Sequence, residues 1–139
     1  MTMFHPADLA EIVRRDPRYT YEAYEFVFQA LTHTYKMLGK AQPAEREGMA
    51  PEKEHHVSGP QLLQGVRELA LREFGLMART VFRMWGIDQT DDVGAIVFNL
   101  VESNLMSKTD DDSMNDFHAL YDLDEALVHS YRISTGEAE

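Results

Sequence analysis

The sequence predicts a mainly α-helical protein with a small C-terminal β-hairpin, an α+β chain of about five helices whose C-terminal half is winged-helix-like. Three observations lead there. Apolar residues recur at steps of three and four along successive stretches of the chain. Cap and stop signals bound those stretches. Two short apolar pieces then flank an acidic run near the end, the pattern of strands around a loop.

The first helix is expected just after His5-Pro6, where Leu9, Ile12 and Val13 fall at helical spacing and Pro6 suits a first turn. Asp16-Pro17 interrupts it and is expected to cap a longer second helix, with Asp16 accepting from free N–H groups. The stripe of that helix is Tyr21, Tyr24, Val27, Phe28, Leu31, Tyr35 and Leu38, and Gly39 is its stop. A tyrosine stripe at this spacing reads as core with hydroxyls at the rim rather than as a stacking surface. Residues 39–57 carry Gly39, Pro43, Gly48 and Pro51 without periodicity and read as a long polar loop.

Ser58-Gly59-Pro60-Gln61 is the clearest local signal, a capping box with Pro in the first turn. The third helix runs from it toward Trp85, with Val66, Ala70, Phe74, Met77, Val81 and Met84 on one face. At about 100° per residue, Arg72, Arg79 and Arg83 cluster opposite. Gly75 costs about 1 kcal/mol against Ala inside a helix and marks a break or a close crossing. Trp85-Gly86-Ile87 ends this stretch, and Thr90-Asp91-Asp92 opens a fourth helix with acids at the positive end of its dipole. Its stripe is Val93, Ile96, Val97, Leu100, Val101 and Leu105.

Leu105–Thr109 and Phe117–Tyr121 are the two pieces expected to form the hairpin around the acidic run 110–116. Asp122-Leu123-Asp124-Glu125 opens a last helix carrying Leu123, Ala126, Leu127 and Tyr131. A single globular domain over 1–133 and a frayed tail over 134–139 are the expected organisation.

Charge is the second strong statement of the sequence. Residues 1–86 hold 11 basic and 11 acidic side chains. Residues 87–139 hold 2 basic and 13 acidic ones, so the formal charge of −11 belongs to the last third alone. A helix, a turn, a second helix and a hairpin are the order of a winged helix-turn-helix. Here the recognition helix would carry Asp91, Asp92 and Glu102, and the wing tip Asp110, Asp111 and Asp112. Phosphates repel such a surface, so the arrangement points to a protein-interaction version rather than to DNA reading.

Other chemistries leave little trace. There are no cysteines, which excludes disulfides, thiolate zinc sites and thiol catalysis. Glu54-His55-His56 lacks the spacing of a metal site. An EF-hand begun at Asp110 fails, with Met114 at its fifth position, Asn115 at its sixth and Tyr121 at its twelfth. Ser58 beside His55 and His56 has the residue types of a dyad, but its spacing explains a helix cap better. No catalytic motif, cofactor fingerprint, secretory leader or membrane span is found, so no cofactor is expected and a cytoplasmic location is the default.

The segments Asp16-Pro17-Arg18-Tyr19, Ala23–Val27, His56-Val57-Ser58-Gly59 with Leu62-Leu63, Trp85-Gly86-Ile87, Asp92, Gly94, Ile96–Val101, Lys108-Thr109, Asp116-Phe117 and Tyr121-Asp122 resemble a small bacterial family without assigned activity. The resemblance covers most of residues 6–131 outside 40–54. It implies one bacterial domain and carries over no catalytic or binding residue.

The leading functional expectation is therefore a regulatory or interaction module. Its acidic C-terminal third, with Asp110, Asp111, Asp112 and Asp116, would dock a basic protein surface. That surface would lie on another protein or be the Arg72, Arg79 and Arg83 stripe of a second copy. Two alternatives are a nucleic-acid-binding regulator using that stripe, and an enzyme or small-molecule binder with an aromatic pocket between the Tyr24 and Trp85 helices.

Overall fold

The computed structural model describes residues 6–40, 56–106 and 113–129, the side chains of residues 6, 7 and 129 apart. Among the described residues five helices follow in order: α1 Pro6–Arg15, α2 Tyr21–Met37, α3 Gly59–Phe74, α4 Ala78–Trp85 and α5 Thr90–Glu102. A 3-10 turn at Gly75–Met77 joins α3 to α4. Another 3-10 turn at Met114–Phe117 and a wide helical turn at Glu125–His129 follow α5. No helix among the described residues is long and apolar enough to cross a membrane.

The local signals explain most boundaries. The Ser58 hydroxyl accepts from Gln61 N–H at 3.3 Å while Gln61 Oε1 accepts from Ser58 N–H at 3.0 Å, the reciprocal pair expected of a capping box. Gly39 and Gly86 take left-handed φ of 68° and 93° just beyond α2 and α4. At Gly86 a side chain would also collide with the Arg18 carbonyl, because the α1–α2 turn packs there and Thr20 N–H donates to Trp85 C=O. The start of α2 differs from expectation. Thr20, not Asp16, caps it, accepting from Ala23 N–H at 3.3 Å. Asp16 is drawn instead to the Arg18 guanidinium, two charged bonds against one neutral one.

Gly75 does break the third helix. Its φ of 54° and ψ of −131° suit glycine, and the break rotates the following residues out of the phase of α3. Ala78 and Phe82 therefore turn inward and are fully buried, whereas Met77 and Met84, expected on the core face, turn out to solvent. Phe26 of α2, Phe74 of α3 and Phe82 and Trp85 of α4 pack as one aromatic cluster, with ring centroids 5.4 to 6.0 Å apart. Alongside it α2 and α3 cross so closely that a side chain at Gly65 would run into the Thr34 hydroxyl.

The expected β-hairpin and winged-helix arrangement are corrected by the structure. Among the described residues there is no strand. Residues 107–112, the tip of the expected hairpin, lie outside the described residues. On either side the backbone turns where a strand would extend: Asn104 has φ of 60° and Ala119 has φ of 45°. Leu105 N–H closes the end of α5 by donating to Leu100 C=O. Ser113 N–H donates to Asp116 Oδ2 at 2.9 Å and sets up the Met114–Phe117 turn. That turn drives Phe117 into the core, where its ring lies against Gly59 and Gly94 and meets Phe98 edge-on at 6.3 Å. The C-terminal piece thus folds across the starts of α3 and α5 rather than forming a wing. Beyond it, Asp122 Oδ1 caps the last turn by accepting from Glu125 N–H, and Leu123, Ala126 and Leu127 are buried as expected. Tyr131 lies outside the described residues.

Candidate functional site

Among the described residues, most carboxylates of the acidic third are bonded within the molecule. Asp92 accepts from the N–H groups of Asp88 and Gln89 at 2.8 and 3.0 Å, closing the first turn of α5, and from the Tyr19 hydroxyl at 2.7 Å. Burial and the Asp92 charge push the Tyr19 hydroxyl well above the usual tyrosine range. Asp91 receives His118 Nδ1 at 2.8 Å and Ala119 N–H at 3.1 Å, and the histidine contact lowers its carboxyl. The fully buried Thr90 hydroxyl donates to Phe117 C=O at 2.6 Å and accepts from Leu120 N–H at 3.1 Å. The N-terminus of α5, which would enter a groove in a DNA-binding winged helix, is covered by this segment.

A second polar assembly ties the α1–α2 turn to α5. Arg18 grips Asp16 through two bonds of 2.8 and 2.7 Å, and Asn99 Nδ2 donates to Asp16 Oδ2 and to the buried Tyr24 hydroxyl, both at 2.9 Å. The arginine bonds hold the Asp16 carboxyl well below the usual carboxylate range. Each of these groups faces another of the same set, which is the behaviour of a structural clasp. His33 and Glu68 form a further pair at 3.2 Å between α2 and α3.

The expected site residues separate in space and environment. Arg72 is exposed in the last turn of α3 and has no ion pair among the described residues. Arg79 is 11% exposed and donates to Asp124 Oδ1 at 2.8 Å, to Ile87 C=O at 3.2 Å and to Asp88 Oδ1 at 3.4 Å. Arg83 is 60% exposed and stands 4.0 Å from the same Asp124. The three arginines are therefore no uniform stripe. The break at Gly75 carries Arg79 off the solvated face and onto the C-terminal turn, so acidic third and arginine meet inside one chain. Asp116 is half-buried beside Gly59, bound to the Ser113 N–H. Asp110, Asp111 and Asp112 lie outside the described residues, as does His55. Ser58 serves as the α3 cap, and the His56 carbonyl accepts from Lys40 Nζ at 2.6 Å.

What the sequence reading missed is an exposed apolar stretch running through the Gly75–Met77 turn into α4. Leu76, Met77 and Met84 are 52, 58 and 73% exposed, three of the seven exposed large apolar side chains of the described residues, gathered within nine positions. At about 100° per residue, Met77, Val81 and Met84 share one side of the helix, with Thr80 and Arg83 along one edge and Trp85 along the other. The sequence pattern puts Met77 and Met84 on one face with Val66, Ala70 and Phe74, a stripe that holds only if the helix continues through Gly75. The signal that finds them is that same glycine, taken as a phase reset. The wide turn at Glu125–His129 packs on α4 and on the Gly75–Met77 turn, and the Asp124 just before it is held by Arg79, on the side of the helix away from Met77 and Met84.

No family model, no curated protein and no solved structure matches this chain.

Proposed function

We propose that this protein is an interaction module that binds a protein partner through the exposed face of α4. The observation that carries the reading is the exposure of Leu76, Met77 and Met84, left in water while the other described large apolar side chains from Tyr21 to Val101, Met37 and Leu38 apart, are buried or half-buried. Such a group costs solvation free energy when bare and recovers it when covered, which is why exposed apolar patches mark contact sites. Methionine suits the task, since its unbranched, polarisable chain adapts to different partners. The polar clusters support the same reading from the other side. Asp16, Tyr19, Asp92, Asn99 and Arg79 have their bonding taken up by one another and by backbone, as a scaffold requires.

The test compares the partners captured from native lysate by the wild-type chain and by a Met77→Asp/Met84→Asp variant. Both positions are exposed, so the variant is expected to keep its thermal midpoint. A partner lost with the variant supports the reading. A partner retained equally by both moves the contact elsewhere, and an empty capture by the wild type counts against an interaction module.

A further inference from the structure

We infer that Met77 and Met84 are a paired oxidation site, through which a peroxide converts the apolar face of α4 into a polar one. They are the two most exposed methionines among the described residues, at 58 and 73%. Met37 and Met114 stand at 37 and 43%, and Met106 is half-buried. Thioether sulfur is soft and polarisable, so its lone pairs attack an electrophilic oxygen where solvent delivers one. The chain has no cysteine, and hence no thiolate that would take the oxidant first. The two positions lie seven apart, two helical turns, so both side chains leave on one side and their oxidation alters a single surface.

The step is a two-electron oxygen transfer from hydrogen peroxide. The sulfur lone pair attacks one peroxide oxygen and the O–O bond breaks. A proton passes from the transferred oxygen to the displaced one, which leaves as water. Sulfur is oxidised to the sulfoxide and the peroxide is reduced. A dithiol reverses the step through a methionine sulfoxide reductase, becoming a disulfide while the oxygen departs as water. The fold is spared because the break at Gly75 turns both side chains outward, whereas Ala78 and Phe82, fully buried, hold α4 to the core. The added oxygens enter water. Covering a sulfoxide oxygen with apolar surface leaves a strong acceptor unsatisfied, which carries a free-energy cost. Resting on the reading of this face as a docking site, oxidation releases the partner and reduction restores it.

The experiment treats the folded whole chain with graded hydrogen peroxide. Peptide mass spectrometry maps oxygen addition over all eight methionines, and elution from a phenyl matrix reads the apolar surface of the folded protein. The wild type is expected to gain oxygen at Met77 and Met84 ahead of Met37, Met106 and Met114. It is expected to keep its thermal midpoint and to elute earlier. Methionine sulfoxide reductase with dithiothreitol is expected to bring back the original elution. A Met77→Leu/Met84→Leu variant keeps the apolar face without its sulfurs. Its elution is expected to stay unchanged at the same peroxide dose.

Oxidation of Met37, Met106 or Met114 as early as that of the pair overturns the inference, because exposure on α4 then selects nothing. An elution change in the leucine variant as large as in the wild type overturns it as well, since other sulfurs then carry the effect. A lowered thermal midpoint of the oxidised wild type makes the modification damage rather than a switch, and elution that the reductase fails to restore removes its reversal. The docking reading fails separately, by a captured partner that survives Met77→Asp/Met84→Asp. Selective oxidation with earlier elution would then leave the site standing and remove only its consequence for a partner.

Discussion

The Tyr19 hydroxyl donates to Asp92 across 73 positions of sequence, at 2.7 Å, and so fastens the α1–α2 turn to the first turn of α5. The tyrosine is 1% exposed, and its partner also closes the helix by accepting from Asp88 and Gln89. Tyr19→Phe removes one donor from a carboxylate that keeps two others, and is expected to cost about 1 kcal/mol. Asp92→Ala strands the buried hydroxyl and two N–H groups and is expected to cost about 2–3 kcal/mol. Urea unfolding of the two variants checks the order; equal costs would show that the tyrosine bond contributes all of the effect.

Arg79 and Asp124 hold the C-terminal turn on α4. Arg79→Ala is expected to lower stability by about 1–3 kcal/mol, because it frees Asp124 and leaves the Ile87 carbonyl without that donor. Asp124→Asn is expected to cost less, since the amide still accepts and Asp88 remains within reach of the guanidinium. A double-mutant cycle by thermal unfolding measures the coupling, and additive single effects would deny it.

Acid sensitivity follows from two carboxylates. Asp16 and Asp91 both have folded pKa values below the ordinary 3.8, lowered by Arg18 and by His118 respectively. A depressed folded pKa contributes stability above the unfolded value that disappears as pH falls through the folded one. Stability of the wild type is therefore expected to fall steadily below about pH 4, and Asp16→Asn is expected to be less stable at neutral pH with a flatter acid limb. Denaturant titrations at stepped pH check this; an unchanged slope in the variant removes Asp16 from the account.

At the α2–α3 crossing, Gly65→Ala places a methyl against the Thr34 hydroxyl and is expected to cost about 1–3 kcal/mol through overpacking. Thr34→Ala in the same chain removes that hydroxyl and is expected to restore part of the loss. A double variant no more stable than Gly65→Ala alone would place the strain elsewhere in the crossing.

Much of this molecule was legible where the chemistry is local. The Ser58–Gln61 box, the glycine stops after α2 and α4, the Asp122 cap and the stripe of α5 all depend on neighbours within one or two turns. The misreadings share a different origin. Phe117 looks like the first residue of a strand until Gly59 and Gly94, 58 and 23 positions away, supply the slot that holds it. Met77 and Met84 share a stripe with Val66, Ala70 and Phe74, and Arg79 one with Arg72 and Arg83, only while periodicity is carried through Gly75. The acidic stretch was legible as charge and as caps but not as long-range pairs, since the partners Arg79 and Tyr19 come from elements that only the fold brings near.

The slot that receives Phe117 also orders events in time. Its walls belong to α3 and α5, which leave the ribosome first, whereas the ring that fills it arrives with the last elements of the chain. Until then two glycine-lined helix starts stand open to water, and Thr90 has neither its acceptor nor its donor from the Phe117–Leu120 segment. The nascent bundle is thus a lock awaiting its bolt: a chain cut short ahead of residue 117 lacks the ring that closes α3 on α5 and the bonds that the 117–120 segment makes to Thr90.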